Sequence, residues 1–303
     1  MEITFLGTGA GVPAKHRNVS SLILRFPEYD GDQWIFDCGE GTQHQVLHTN
    51  LRLTKVSRIF ITHLHGDHIY GLPGVLGSRS FHGSTEPLTI YGPKGIQEFV
   101  DVTLGVSKTH LHYPIEYVEL QDGLTFSTDF FHITVRLLEH GIPSYGFRLE
   151  EKEKPGKLEI ERLQALGIPS GPLLGKLKRG EVVELPDGTV LDGRDFLGPP
   201  TPGKVYAILG DTRPTPSIEQ LARHADLLVH EATRRSGDEE LANLYFHSTI
   251  AQATELAKRA EVKMLLINHI STRYVDNLEE LQQEASAQFE HSIVVQDFDQ
   301  FVF

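Results

Sequence analysis

Arg58-Ile59-Phe60-Ile61-Thr62-His63-Leu64-His65-Gly66-Asp67-His68 is the stretch on which the reading of this chain turns. Its apolar, β-branched start reads as a buried strand. That strand runs directly into three histidines and an aspartate within six residues. Imidazoles and a carboxylate gathered at a strand end surround a small volume, as a metal cluster requires. Gly66 reads as the residue that permits a tight turn, so that Asp67 and His68 face a different point from His63 and His65. A polar surface turn is the competing reading, and the density of ligand-type residues makes it the weaker one.

The same grammar recurs along the chain. Val135-Arg136-Leu137-Leu138 leads to His140, and Val205-Tyr206-Ala207-Ile208-Leu209 leads to Asp211. Leu227-Leu228-Val229 leads to His230-Glu231, and Met264-Leu265-Leu266-Ile267 leads to His269. Each of these alone is weak, since a lone histidine or aspartate after a strand is more often an ordinary turn residue. Five such ends converging at one edge of a sheet sandwich would supply seven ligands, enough for two adjacent ions. An aspartate between two histidine sets is a natural bridge, because each carboxylate oxygen can bind one ion. Cys38 is the only cysteine, so no internal disulfide framework exists and any metal site must use nitrogen and oxygen ligands.

Between these points the chain alternates short strands with helical patterns, which implies a mixed α/β sandwich. Strands are expected at Ile3 to Leu6, Ser20 to Arg25, Trp34 to Asp37, Arg58 to Thr62, Leu88 to Tyr91, Val205 to Leu209, Leu227 to Val229 and Met264 to Ile267. Helices are expected at Gly41 to Leu47, Ile96 to Leu104, Ile218 to Ala222, Thr249 to Ala260 and Leu278 to Phe289. Thr249-Ile250-Ala251-Gln252 is a capping-box signature for the fourth of these. From about Glu151 to Pro202 the rhythm breaks into Gly, Pro and charge, around a basic centre at Gly171 to Gly180. Such a segment is either functional or a solvated excursion, and composition alone leaves both open.

The 303 residues can bury a substantial core, and no apolar run approaches the ~20 residues that span a bilayer. Met1 to Leu6 reads as a first strand rather than a signal peptide, which makes a reducing cytoplasm the expectation. A formal charge of -13 argues against non-specific coating of nucleic acid, though not against a local basic patch. Sixteen histidines point instead to metal binding and proton transfer near neutral pH.

The motif His63-Leu64-His65-Gly66-Asp67-His68, with the separated His140, Asp211 and His269, resembles the H-x-H-x-D-H pattern of the metallo-β-lactamase superfamily. Within it the chain most resembles the tRNase Z (ribonuclease Z) family in its short form. Further matches are Phe5-Leu6-Gly7-Thr8-Gly9, Pro13-Ala14-Lys15-His16-Arg17-Asn18, Phe36 to Gln43, His230-Glu231-Ala232-Thr233 and Phe246-His247-Ser248-Thr249. The resemblance implies an αββα four-layer sandwich of two mixed sheets flanked by helices. It implies one such domain over residues 1–303, with residues 151–202 as an inserted flexible arm that clamps tRNA.

Further implications of the resemblance concern chemistry. His63, His65 and His140 would hold one zinc, Asp67, His68 and His269 the other, and Asp211 would bridge; Mn, Fe or Co are possible substitutes. The reaction would be endonucleolytic removal of the 3′ trailer from precursor tRNA, leaving a 3′-hydroxyl on the tRNA and a 5′-phosphate on the trailer. Asp67 would orient the attacking water, and His247, oriented by Glu231, would protonate the departing ribose oxygen. From the residues alone, His247 reads more readily as a residue packed before the helix at Thr249. Lys15, Arg17 and Asn18 would approach the RNA end, and Lys176, Lys178 and Arg179 would meet phosphates from the arm. A homodimer is expected, with one subunit's arm holding tRNA cut by the other.

Gly7, Gly9 and Gly11 fit close backbone packing beside the metal site better than a phosphate loop. His44, His48, His82, His110 and His112 read as structural or surface residues. Asn268 stands where many relatives have Ser or Thr. The runners-up are another two-zinc hydrolase of this fold, acting on a small phosphodiester, sulfate ester or lactone, and a non-catalytic RNA-binding relative.

Overall fold

The computed structural model describes residues 1–303, which divide into two compact units. The larger comprises Met1–Phe126, Ile133–Arg148 and Tyr206–Phe303, and the smaller Ser127–His132 and Leu149–Val205.

Two seven-stranded mixed sheets form the frame. In the first the order is Gln300–Val302, Glu2–Gly7, Ser21–Phe26, Asp32–Phe36, Val56–Phe60, Leu88–Gly92 and Ile115–Glu119. In the second it is Ser292–Val294, Leu265–Asn268, Leu227–Glu231, Val205–Leu209, Ser144–Glu151, Phe131–Leu138 and Thr125–Ser127. The period-2 alternation of the strands separates two apolar layers. Ile23, Ile35, Ile59 and Ile90 pack with Val46, Leu72, Val75, Leu76, Ile96 and Val100 of the helices Thr42–Val46, Leu72–Phe81 and Ile96–Ser107. Their neighbours on the strands are aromatic: Phe36, Phe60, Tyr91 and Phe126 stack in series at 4.6 to 4.7 Å, with Phe147 edge-on to Phe36 and Phe60. Each buried ring of this kind contributes roughly 1.5–3 kcal/mol by leaving water. On the second sheet, the helices Ile250–Arg259 and Leu278–Gln288 pack against the strands Leu265–Asn268 and Ser292–Val294 and against each other. This is the sandwich of sheets flanked by helices that the sequence implied.

Local signals explain where elements begin. Thr249 Oγ1 accepts from the Gln252 amide at 3.3 Å while Gln252 Oε1 accepts from the Thr249 amide at 2.9 Å, completing the capping box. The helix Leu72–Phe81 lies outside the sequence expectation although it buries Leu72, Val75, Leu76 and Arg79 at helical spacing. Its two interior glycines and Pro73 weaken the local signal, but a proline is tolerated in a first turn. Asp37, expected at the end of a strand, instead takes a left-handed conformation with φ 58° after the strand Asp32–Phe36.

The smaller unit is folded rather than a solvated excursion. Its helices Ile160–Ala165 and Pro172–Lys178 and the hairpin of Val182–Glu184 with Val190–Asp192 enclose Leu163, Ile168, Leu177, Leu191 and Phe196. A Cβ at Gly193 would stand 2.3 Å from the Leu177 carbonyl oxygen, so the helix seats directly on that backbone. The basic centre of the segment is this second helix, with Lys176, Lys178 and its cap Arg179 exposed.

Candidate metal centre

Strand direction delivers the site residues. Val205–Leu209, Leu227–Glu231 and Leu265–Asn268 run parallel, so they end at one edge and bring Asp211, Glu231 and His269 to the same level. From the other sheet, Val56–Phe60 leads to His63 and His65, and the short helix Gly66–Ile69 carries Asp67 and His68. His140 follows the strand Phe131–Leu138. The donor atoms fall into four overlapping sets whose members lie within 4.8 Å of one another: His63 with His65 and His140, His63 with His68 and Asp211, Asp67 with His68 and His269, and Asp211 with His247 and His269; His247 Nδ1 in the last is already taken by Glu231 at 2.8 Å.

Separations within the sets suit a cation. Asp211 Oδ2 stands 3.7 Å from His63 Nε2, 3.5 Å from His68 Nε2 and 3.2 Å from His269 Nε2. His140 Nε2 is 3.1 Å from His65 Nδ1, and His269 Nε2 is 3.4 Å from Asp67 Oδ2. Tetrahedral ligands bound at 2.0–2.1 Å are ~3.3 Å apart, which is the spacing found here. Buried His63 Nε2 has no hydrogen-bond partner, as expected of a lone pair held for a metal.

The outer partners fix which nitrogen faces inward. Thr62 Oγ1 donates to Asp37 Oδ2 at 2.8 Å, so it must accept from His63 Nδ1 at 3.0 Å, leaving His63 Nε2 free. Thr233 Oγ1 donates to Glu231 Oε2 at 2.6 Å and in the same way accepts from His269 Nδ1 at 2.8 Å. His68 Nδ1 meets Asp37 Oδ2 at 2.7 Å, and His140 Nδ1 donates to the Phe246 carbonyl at 2.9 Å. Asp37, Phe246 and His269 all carry positive φ (58°, 59° and 55°), so strained backbone gathers at this site.

Electrostatics point the same way. Burial and the neighbouring His68 imidazole hold His63 well below the ordinary histidine range, so it is a neutral donor. Burial also disfavours charge on His68, yet the Asp211 and Asp37 carboxylates outweigh it and push His68 well up. A proton there answers the cluster's demand for positive charge, and a bound dication would take its place.

His247 and Glu231 form a second unit. Glu231 is fully buried, which opposes its charge, but the facing His247 and its hydrogen bonds hold the carboxyl at about 2. It accepts from His247 Nδ1 at 2.8 Å, Thr212 N at 2.9 Å and Thr233 N at 3.0 Å. Burial acts against charge on His247 as well, but Glu231 raises it to about 9. His230, on the opposite face of the strand, bonds the Glu231 carbonyl and does not join the cluster.

The loop Pro13 to Asn18 divides its residues. Lys15 is exposed at the tip of a turn closed by Ala14 N to Arg17 O at 2.8 Å. Arg17 is corrected from an RNA contact to a brace: it is 4% exposed, and its Nη1 donates to Thr8 O, Thr8 Oγ1 and Val295 O at 2.8 to 3.1 Å. Asn18 also works inward, with its amide on Asp297 Oδ2 at 2.6 Å and its side chain on Glu40 O at 2.7 Å. Asp297 additionally accepts from Thr8 Oγ1 at 2.7 Å. The glycine loop packs beside the cluster as expected: a Cβ at Gly7 would lie 1.8 Å from Val19 O, and the Gly11 amide donates to Asp67 Oδ2 at 2.7 Å. Gly66 needs a different explanation from the tight turn proposed for it. It starts a helix without positive φ, and the Tyr70 ring occupies the space where a Cβ would stand. Asn268 Oδ1 is buried without a partner and adds no hydrogen bond to the cluster. His44, His48, His82, His110 and His112 are all exposed and belong to none of the cation-holding groups.

Comparison with known proteins places this geometry. Ribonuclease Z of Limosilactobacillus fermentum is 56% identical over 301 residues, covering 99% of this chain and 97% of its own. Ribonuclease Z of Bacillus cereus is 52% identical over 303 residues, covering 99% of both. The chain belongs to the ribonuclease Z family. The crystal structure of human tRNase Z, short form, superimposes with a TM-score of 0.71 at 28% identity, covering 100% of this chain and 99% of its own. The metallo-β-lactamase fold protein YhfI from Bacillus subtilis, at 18% identity and a TM-score of 0.67 over 99% and 98% of the two chains, shares the fold. A family model described as anti-Pycsar protein Apyc1 matches residues 1–153. That half includes His63 to His140 but neither Asp211 nor His269.

Proposed function

We propose that this chain is a metal-dependent endoribonuclease that removes the 3′ trailer from precursor tRNA, leaving a 3′-hydroxyl on the tRNA and a 5′-phosphate on the trailer. The observation that carries this reading is the convergence of Asp67, Asp211 and six histidines, His247 among them, where strands of the two sheets end, in a chain aligned end to end with ribonuclease Z. In this reading His63, His65 and His140 would hold one ion and Asp67, His68 and His269 a second, with Asp211 shared between them. Two zinc ions per chain are the proposed occupants, with Mn, Fe or Co as substitutes. When bound, such ions lower the pKa of water and offset negative charge developing on the phosphoryl oxygens.

The chain's own groups do the remaining work. Asp67, held by the Gly11 amide at 2.7 Å, orients the attacking water and takes its proton. His247, charged and fixed through Nδ1 by Glu231, presents its other nitrogen to the leaving ribose oxygen and protonates it. Glu231 keeps that imidazole in one tautomer and orientation. Lys15 at the loop tip meets the RNA near the cut. Residues 151–202 act as the tRNA-holding arm, with Lys176, Lys178 and Arg179 on phosphates; Arg179 shares its charge with Glu181 at 2.6 Å, so the two lysines carry more of the contact. A cytoplasmic homodimer is part of the proposal, supported by the resemblance to short forms.

Incubation with a 3′-extended precursor tRNA tests this directly. The expected products are a single cut at the trailer junction, a 3′-hydroxyl and a 5′-phosphate. A 2′,3′-cyclic phosphate end would mean attack by the ribose hydroxyl rather than water and would refute the mechanism.

A further inference from the structure

Tyr70 caps the short helix that carries Asp67 and His68, and it is 62% exposed. Its amide donates to the Gly66 carbonyl at 2.9 Å, and helical side chains lean back over the preceding turn. The ring therefore returns onto Gly66: its Cε2, Cζ and Cδ2 lie 2.2, 2.4 and 2.8 Å from where a Cβ at that position would be. Gly66 sits between His65 and Asp67, and His65 is the exposed member of its set, where the cluster opens to solvent. An aromatic ring is thus seated on the backbone of the ligand turn, beside the mouth of the site, with much of its surface uncovered.

A single exposed aromatic is ordinary on a protein surface. What marks Tyr70 is its place: it caps the helix that carries Asp67 and His68, its ring lies over Gly66 between two members of the cluster, and it is 62% exposed. Unpaired nucleotides expose π-faces that stack on aromatic side chains without regard to base identity. A base next to a phosphate held in the cluster is attached to it through only one ribose, which places it at the rim.

We propose that Tyr70 is the stacking platform for the nucleobase adjoining the scissile phosphate. It rests on the reading of the chain as a precursor-tRNA nuclease. Its contribution is sequence-tolerant, so it fixes the position of the strand relative to the cluster rather than selecting a base. The cluster that includes His65 and Asp67 would hold the phosphate end, and Tyr70 holds the neighbouring base, which gives the linkage two points of attachment.

The test crosses enzyme variants with substrates that carry an abasic site at either nucleotide flanking the cut. With the wild type, one abasic position is expected to lower kcat/KM by roughly 5- to 150-fold, the range of a lost stacking contact. Tyr70→Ala should lose a similar factor on the intact precursor and almost nothing further on that abasic one. Tyr70→Phe should behave as wild type, and Tyr70→Leu, which still covers Gly66, should behave as Tyr70→Ala. Metal content should stay at the wild-type level in all three variants. Losses from Tyr70→Ala and from the abasic site that simply multiply would refute stacking and leave Tyr70 as a cover for Gly66. A wild type inactive on the intact precursor would refute the functional reading itself, and stacking with it.

Discussion

Replacing His247 by alanine is expected to slow the chemical step while sparing metal content and tRNA affinity. The proposed proton donation matters only as the leaving oxygen gains charge, so its loss falls on the transition state. General acid–base groups contribute about 10²- to 10⁴-fold, and the single-turnover rate at saturating enzyme should fall within that range. Glu231 sets a smaller second step. It reaches His247 through one charged hydrogen bond of 2.8 Å, and bonds to charged groups are worth about 1.5–3 kcal/mol. Glu231→Gln should therefore cost roughly 10- to 150-fold. The double variant should be no slower than His247→Ala, because Glu231 acts through His247. Rapid-quench single-turnover cleavage with elemental analysis of each variant makes the measurement. A normal rate for His247→Ala would return it to packing before the helix Ile250–Arg259, and additive losses would separate Glu231 from it.

Other outcomes follow from the same geometry. His68→Ala and Asp211→Ala should each carry less metal than the roughly two ions per chain expected of the wild type, and chelation should abolish cleavage; full occupancy in both variants would overturn the ligand assignment. Lys176→Ala with Lys178→Ala should weaken precursor-tRNA binding and reduce the slope of log affinity against log salt by about 1.5–2 in magnitude; an unchanged slope would remove them from the phosphate contacts. Arg17→Ala should lower the denaturation midpoint, since its Nη1 makes three hydrogen bonds worth about 0.5–1.5 kcal/mol each. Loss of RNA affinity without loss of stability in that variant would reinstate Arg17 as a contact.

The histidines and aspartates that the structure gathers into one cluster are marked in the sequence by their own side-chain chemistry. Histidines and aspartates after apolar strands announce themselves, and parallel strands then bring them together without further information. Partners that act through backbone shape left no such trace. Phe246 contributes a carbonyl to His140, and nothing about phenylalanine signals that. Asp37 sits in a quoted motif, but its hold on His68 and Thr62 depends on a left-handed turn visible only in three dimensions. Arg17 misled for a related reason: its partner Val295 lies 278 residues away, and a basic residue in a polar loop otherwise looks like a surface contact. The inserted segment hid its core because Leu163, Leu177, Leu191 and Phe196 are spread over elements too short to show periodicity.

The bracing of the loop Pro13 to Asn18 by Asp297, and the pairing of Gln300–Val302 with Glu2–Gly7, set an order in time as well as in space. A polypeptide is made from its amino end, and early segments fold while later ones are still unmade. The motif at His63 to His68 therefore emerges long before its partner His269, before the carboxylate that anchors Asn18, and before the strand that completes the first sheet's edge. A growing chain holds only part of the cluster until then. His269, Asp297 and the strand Gln300–Val302 join the structure only as the last tenth or so of the sequence is added.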